Sequence, residues 1–353
     1  MNEIIFFSIF ILIVFTMILI DLGLFSREYH AVTLKESATW SLIWIGLAGV
    51  FFFFILYFGH LIHGLDTAAE VAKKAAENGH PIDITEFATD RQAVAAYDRS
   101  MALQYLAGYL IEYSLSLDNV FVILLIFLSF KVPEEYYKRV LFWGILGAVV
   151  MRFIFIFALS ALIHRFEWIF IPFAILLIFT AAKMTLEFMR KKKKTIDVEN
   201  HPVVRWARKI FPVHPGFSEH RFMVKQKGKW YITPLFIVLL VIEFSDVIFA
   251  VDSVPAIFAV TRDPYIVFFS NIFAIIGLRS MFFMISHIFG MFRFLKPGLA
   301  ALLFYIGVKM ILPFIPHLNI ELSISTSLFI IFGILSASIL LSLIFPKEDE
   351  NRP

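Results

Sequence analysis

Two segments of the chain repeat one pattern of potentially reactive side chains inside apolar sequence: Glu112-Tyr-Ser-Leu-Ser-Leu-Asp118-Asn119-Val120 and Asp246-Val-Ile-Phe-Ala-Val-Asp252-Ser253-Val254. Each reads as an acid, five residues, an aspartate, a small polar residue and valine. Glu243 adds a further acid about one helical turn before the second copy. Carboxylates in an apolar span are costly, so they face a cavity or a partner and mark an ion or proton path. With the amide oxygen of Asn119, the hydroxyl of Ser253 and a backbone carbonyl, they make an all-oxygen ligand set. Such a set suits hard cations, namely Mg²⁺, Ca²⁺ or Mn²⁺. The chain has no cysteine, which excludes disulfides and thiolate metal sites. Acids six apart on one straight helix diverge by about 120°, so convergence calls for an interrupted helix. Pro255 predicts such a break, because it removes a backbone donor and frees the carbonyl of Val251 beside Asp252 and Ser253.

Basic residues recur in the same order as the acids. Arg152 follows Asp118 by 34 residues and Arg279 follows Asp252 by 27; Lys183 follows Arg152 by 31 and Lys309 follows Arg279 by 30. Local contexts match as well, as in Leu176-Leu-Ile-Phe-Thr-Ala-Ala-Lys183-Met against Leu302-Leu-Phe-Tyr-Ile-Gly-Val-Lys309-Met. Left facing lipid at mid-depth, each charged side chain would cost about 3 kcal/mol, so the acids and bases must pair or line water. Two readings of the four bases stand side by side: neutralisation of acids in a buried scaffold, and a direct part in coupling.

The elements that position these residues are membrane spans. Hydrophobic residues make up 60% of the chain and only 17% are charged, with a mean hydropathy of +0.83. Apolar runs of about 20 residues, the length that crosses a bilayer, recur along almost the whole sequence. The pattern predicts an all-α polytopic transmembrane bundle of about nine spans, near 4–20, 40–59, 105–130, 140–160, 167–186, 234–260, 265–289, 298–316 and 324–345. The first run lacks a basic leader and a small-residue cleavage site, and reads as a retained helix. Loops after spans 1, 3, 5 and 7 and the C-terminal tail hold 21 Lys and Arg, against 6 for the N-terminus and the remaining loops. That bias predicts an extracytoplasmic N-terminus and a cytoplasmic C-terminus, and the expected location is the cell (inner) membrane. The run Arg190-Lys191-Lys192-Lys193-Lys194 dominates the count. By this orientation spans 3–5 and 6–8 have opposite topology, the inverted-repeat plan of secondary transporters.

The organisation read from the sequence is a two-helix segment over 1–60, an extracytoplasmic loop over 61–102, a first transport repeat over 103–187, a basic cytoplasmic loop over 188–232, a second repeat over 233–316, and a last helix with its tail over 317–353. Within the outer loop, Leu65 to Ala76 is Ala-rich and helix-compatible, and Gly79-His80-Pro81 ends it. His60, His63 and Asp66 stand three apart and raise a surface metal site, beside the simpler reading of incidental histidines at the membrane edge. No Walker-type loop and no His-Glu-x-x-His occurs, so neither direct ATP driving nor intramembrane metalloprotease chemistry is supported, and the chain is not read as an enzyme. The basic loop accounts for the pI near 8.9, which is therefore no sign of a nucleic-acid partner.

Asp21-Leu-Gly-Leu-Phe, Gly108-Tyr-Leu-Ile-Glu-Tyr-Ser-Leu-Ser-Leu-Asp-Asn-Val-Phe-Val, Phe249-Ala-Val-Asp-Ser-Val-Pro-Ala and Asn271-Ile-Phe-Ala-Ile-Ile-Gly-Leu-Arg-Ser resemble the TerC family of integral membrane proteins, in its longer, Alx-like branch. The resemblance covers most of the chain apart from about 65–100 and 190–230. It implies a fold like the lysine-exporter superfamily and export of divalent metal, manganese before calcium, with tellurite resistance tied to the family by name. It also implies that Glu112, Asp118, Asn119, Glu243, Asp246, Asp252 and Ser253 form the ion site. The resulting expectation is a secondary active Mn²⁺ exporter with protons as counter-ion and the lipid bilayer as surroundings, and with no resident cofactor. Arg152, Lys183, Arg279 and Lys309 balance charge or couple the two movements. The alternatives are a Ca²⁺/H⁺ antiporter, an amino-acid exporter, and a non-transporting factor that assists membrane-protein assembly.

Overall fold

The computed structural model describes residues 3–21, 33–190, 201–216, 221–226, 228–287, 294–315 and 322–345. Residues 22–25 of the Asp21 motif, the lysines at 191–194 and the tail beyond 345 lie outside the described residues. In chain order the helices are α1 (Glu3–Asp21), α2 (Leu34–Phe58), α3 (His60–His63), α4 (Ala68–Glu77), α5 (Asp90–Ser129), α6 (Tyr137–Arg165), α7 (Phe170–Met189) and α8 (Pro202–Ile210). A hairpin of β1 (Met223–Gln226) and β2 (Lys229–Ile232) follows, then α9 (Pro234–Phe258), α10 (Pro264–Ile276), α11 (Leu278–His287), α12 (Leu295–Ile311) and α13 (Ile324–Ile344). Eight of these helices are long and apolar enough to cross a bilayer, and the α10–α11 pair, bent by 40° at its break, is either a broken ninth span or a re-entrant loop. Each apolar run predicted from hydropathy overlaps one of these helices or the bent pair.

The starts of the helices are written into the sequence. Thr33, Thr89 and Thr233 each accept a backbone N–H of the first turn of α2, α5 and α9, replacing a hydrogen bond the helix cannot make for itself. Asp263 caps α10, with Pro264 at its first position, where a missing N–H costs nothing.

Two features depart from expectation. The helix break does not fall at Pro255: α9 runs unbroken to Phe258, and its ladder resumes at once with Ala259 N donating to Pro255 O at 3.0 Å. A proline in the last turn forfeits a single backbone bond, too little to part the helix. The break falls instead at Gly277, between α10 and α11, where Trp44 of α2 passes close; a Cβ there would sit 3.4 Å from that of Trp44. The second departure is the outer segment 61–102, which is largely helical. Thr67 and Glu70 close a capping box on α4, and Gly79 turns the chain at φ +78°. The forty residues of α5 reach about 60 Å, twice the roughly 30 Å hydrocarbon core, so its N-terminal half stands clear of the bilayer.

Helix α5 is the axis of the bundle, packing on α2, α9, α10, α11 and α13. Helices α5 and α6 each pack on both α9 and α10, and α7 packs on α12. Small residues let these backbones approach. A Cβ at Gly307 of α12 would lie 3.0 Å from the Ala174 carbonyl of α7, and one at Gly108 of α5 would lie 2.8 Å from Ser270 Oγ of α10. Rings of α1, α2 and α10 interlock beside them, with Phe10 and Phe269 centred 4.3 Å apart. The phenylalanine excess thus fills an interhelical seam as well as facing lipid, as Phe53 and Phe329 do.

Candidate functional site

Three of the side chains singled out by the sequence, joined by Asn271, converge on Arg152, which is completely buried in α6. Its Nη1 donates to Glu112 Oε1 of α5, to Ser253 Oγ of α9 at 3.2 Å and to Asn271 Oδ1 of α10 at 2.6 Å. Its Nη2 donates to Asp246 Oδ1 of α9 at 3.2 Å, and Nε reaches Asp246 Oδ2 at 3.5 Å. One planar guanidinium thereby ties four helices, which an ammonium could not do, since only the guanidinium offers five donors in a fixed fork. Ser116 donates to Glu112 Oε1 at 3.4 Å. The other oxygen, Glu112 Oε2, is buried with no hydrogen-bond partner among the described residues, and so is the Nδ2 of Asn119. Two carboxylates facing one guanidinium leave a formal charge of −1.

The remaining acids do not join this knot, although Glu243 lies within electrostatic range of Asp246. Asp118, half-buried one and a half turns beyond Glu112, has no hydrogen-bond or ion-pair partner among the described residues. Glu243 presses its carboxylate against Gly147 of α6, where a Cβ would collide with it. Asp252 accepts only a long 3.5 Å bond from Thr180 of α7, with Lys183 within electrostatic range. Among the described residues no three acidic or histidine side chains are gathered closely enough to hold a metal ion. Arg152 occupies the place between Glu112 and Asp246 that a cation would fill.

The bases separate by role. Arg152 is the one at the knot; Arg279, half-buried, lies within electrostatic range of Lys138, and Lys183 is exposed on α7. Lys309, half-buried on the paired helix α12, has no ion-pair partner among the described residues and stands within electrostatic range of His80. Asn271 and Thr180 were not assigned from the sequence. Asn271 could have been found as a lone amide in the apolar run before Arg279.

A second buried charge cluster lies where α1, α3, α4 and the start of α10 meet, and spacing alone did not foretell it. His63 Nδ1 meets Glu3 Oε1 of α1 at 2.7 Å, and its Nε2 meets Asp263 Oδ2 at 2.7 Å. Asn78 Nδ2 donates to the same Asp263 oxygen at 3.0 Å, and Lys74 Nζ reaches Glu3 at 3.4 Å. A neutral imidazole has one N–H, so carboxylates on both ring nitrogens require the imidazolium. Burial opposes that charge, but Asp263 and Glu3 more than offset it and push the His63 pKa up to about 9. Burial alone would raise Asp263, but the charge of His63 and its hydrogen bond hold it below the usual range. The trio His60, His63 and Asp66 does not come together. Gly64, in the left-handed region at φ 68°, ends α3 after one turn, so His60 turns to Asp98 at 2.8 Å instead.

These features define a class: a polytopic helical membrane protein with a buried charged knot and further acids in its apolar helices that have no ion pair among the described residues. The chain matches the family described as "Integral membrane protein TerC family" over residues 97–350. It is 40% identical over 348 residues to "Uncharacterized membrane protein STKORF319" of Myxococcus xanthus, covering 98% of this chain and 95% of that one. It is also 40% identical over 327 residues to "Putative membrane-bound redox modulator Alx" of Escherichia coli (strain K12), covering 92% and 90% respectively. No solved structure matches. The protein belongs to the TerC family of integral membrane proteins.

Proposed function

We propose that this protein is a secondary active exporter of divalent metal, Mn²⁺ before Ca²⁺, driven by counter-movement of protons. The observation that carries the reading is the surplus of acid in the apolar helices. Asp118, Glu243 and Asp252 have no ion pair among the described residues, in spans where such a side chain would be costly without a task. The matched order of acids and bases in the two segments supports two related halves, and α5–α7 pack against α9, α10 and α12. Three spans in each half give them opposite orientation, with the N-terminus outside and the C-terminus in the cytoplasm of a cell (inner) membrane. Arg152 holds Glu112 and Asp246 together, while Asp118, Asn119, Glu243 and Asp252 receive the ion. Protons and metal compete for the same carboxylates, so proton uptake from outside discharges the metal and deprotonation inside restores the site. Lys183 and Lys309 lie on the two helices that end the halves and balance charge as the ion leaves. A redox role, as the name of the Escherichia coli relative has it, could not run through thiols of this chain, which has no cysteine.

The test is metal flux in proteoliposomes holding the purified protein, with Mn²⁺ and Ca²⁺ offered separately and a pH-sensitive dye inside. The expected result is metal movement with opposite proton movement, lost in Asp118→Asn and Asp252→Asn. Wild-type flux in both variants would remove these acids from the site, and no flux of either metal would favour the membrane-assembly role.

A further inference from the structure

The cytoplasm-side segment between α7 and α9, which the exporter reading does not use, has the surface of a bilayer anchor. On the nine residues of α8, helical geometry sets Val203, Val204, Trp206, Ala207 and Ile210 on one arc and Arg205, Arg208 and Lys209 on the other. One edge of the apolar arc, Val204 and Ala207, is buried, with α8 packed on α9. The other edge is uncovered: Trp206 is 56% and Ile210 52% exposed, and the exposed Phe211 continues it. The adjoining hairpin repeats the combination. Its register pairs Met223 with Ile232 and Lys225 with Trp230, which sets Met223, Lys225 and Trp230 on one face. Trp230 is 58% exposed, with the Lys225 ammonium 5.9 Å from its ring centre.

The position of this surface is fixed by Phe222. Its ring lies 6.5 Å from Trp143 and 6.4 Å from Phe236, and the Arg139 guanidinium sits 5.2 Å over it. Trp143 begins the outward stripe Trp143, Val150, Ile154 of α6, three exposed apolar side chains seven and then four residues apart. The hairpin therefore adjoins the end of a lipid-facing stripe, at the level where tryptophan belts mark the bilayer boundary. Charge selects the lipid. Between residues 201 and 233 the sequence holds seven Lys and Arg and a single acid, Glu219.

We infer that α8 and the β1–β2 hairpin lie on the membrane and bind anionic phospholipid headgroups, with Trp206, Ile210 and Trp230 set among the acyl-chain ends and Arg205, Arg208, Lys209 and Lys225 at the phosphates. Amphipathic elements with bases on the polar face and tryptophan on the apolar one lie in the interface plane and favour anionic lipid. Anchoring would hold the N-terminus of α9, and with it the second acidic segment, at a fixed depth.

The experiment uses full-length protein in nanodiscs that carry either brominated phosphatidylglycerol or brominated phosphatidylcholine at equal mole fraction. The fluorescence owed to Trp206 and Trp230 is read as the difference between the wild type and the Trp206→Phe/Trp230→Phe variant. The expected result is stronger quenching by the brominated anionic lipid, with the preference falling about fivefold in Arg205→Gln/Arg208→Gln/Lys209→Gln. These residues are exposed, so the variant keeps its melting temperature, which is measured alongside. Quenching by aqueous acrylamide with none by either lipid would overturn the inference and leave the face free for a soluble partner. Equal quenching by both lipids, unchanged in the variant, would overturn the choice of anionic headgroup.

Discussion

The two buried charge clusters of this protein are built to one plan with different cations. Among α5, α6 and α9 Arg152 sits between Glu112 and Asp246; beside α1 and the start of α10 His63 sits between Glu3 and Asp263. Each cation joins carboxylates from two separate helices or helix ends, and each is fully buried at its side chain. A guanidinium stays charged at every accessible pH, whereas an imidazolium between two carboxylates exists only while it keeps its second proton. The inner knot therefore keeps its cation at every accessible pH. The outer one is a clasp on α1, α3, α4 and the start of α10 that opens when the pH rises. Loss of Arg152 leaves Glu112 and Asp246 without a counter-charge, whereas without His63 Glu3 keeps Lys74 and Asp263 keeps Asn78.

The sharpest break of the comparison removes Arg152. Arg152→Met leaves Glu112 and Asp246 uncompensated, and loss of one partner of a buried pair costs about 3–5 kcal/mol. The expected outcome is little or no monodisperse protein after detergent extraction, read by size-exclusion chromatography. Arg152→Lys rescues the yield only in part, because one ammonium cannot address both carboxylates and Asn271 together.

The outer clasp responds to pH. The pKa of His63 is raised to about 9 from 6.5, so its contribution is fully present below about 6.5 and is lost as the pH rises through about 9. A shift of that size is worth on the order of 3 kcal/mol. Asp263 is shifted down, so its contribution is present above the usual carboxylate range and fades as the pH falls through its lowered value. Thermal unfolding followed from pH 6 to pH 10 should show a falling melting temperature in the wild type. His63→Gln should be less stable at neutral pH and flat across the same range. An equal alkaline fall in the variant would move the titration to another group.

Gly147→Ala probes the boundary between knot and free acids. The added methyl occupies the place of the Glu243 carboxylate and forces that flexible side chain aside, at a cost of about 1 kcal/mol. Stability measured by thermal shift should fall slightly while metal movement slows. The smallest change in stability belongs to Asp118→Asn and Asp252→Asn. Neither acid has an ion pair to lose among the described residues, so melting temperatures should stay near the wild type while transport vanishes.

Much of this was legible in the sequence, and the failures have physical causes. Nine spans could be placed because bilayer thickness imposes a length on each apolar run. Arg152, Glu112, Asp246 and Ser253 could be named because a charged or polar side chain in such a run needs a partner. Pro255 misled, since what a proline does depends on its distance from the helix end, and the break falls instead at Gly277, beside Trp44 of α2. Helix α4 was legible from its composition and stop signal, but the forty-residue length of α5 was not, because its outer half is polar and carries no hydropathy signal. The pairing of His63 with Asp263, two hundred residues apart, has no periodicity to announce it. The fixed spacing of His60, His63 and Asp66 suggested a trio that a four-residue helix cannot hold on one face.

The central claim is that the acids left over from the Arg152 knot receive a divalent cation in exchange for protons. Equilibrium binding of Mn²⁺ to the purified protein, read by the electron paramagnetic resonance signal of the free ion, tests it without reconstitution. The account predicts saturable binding that weakens as the pH is lowered and is lost in Asp118→Asn and Asp252→Asn, with folding intact in both. Undiminished, pH-independent binding in both variants would contradict it.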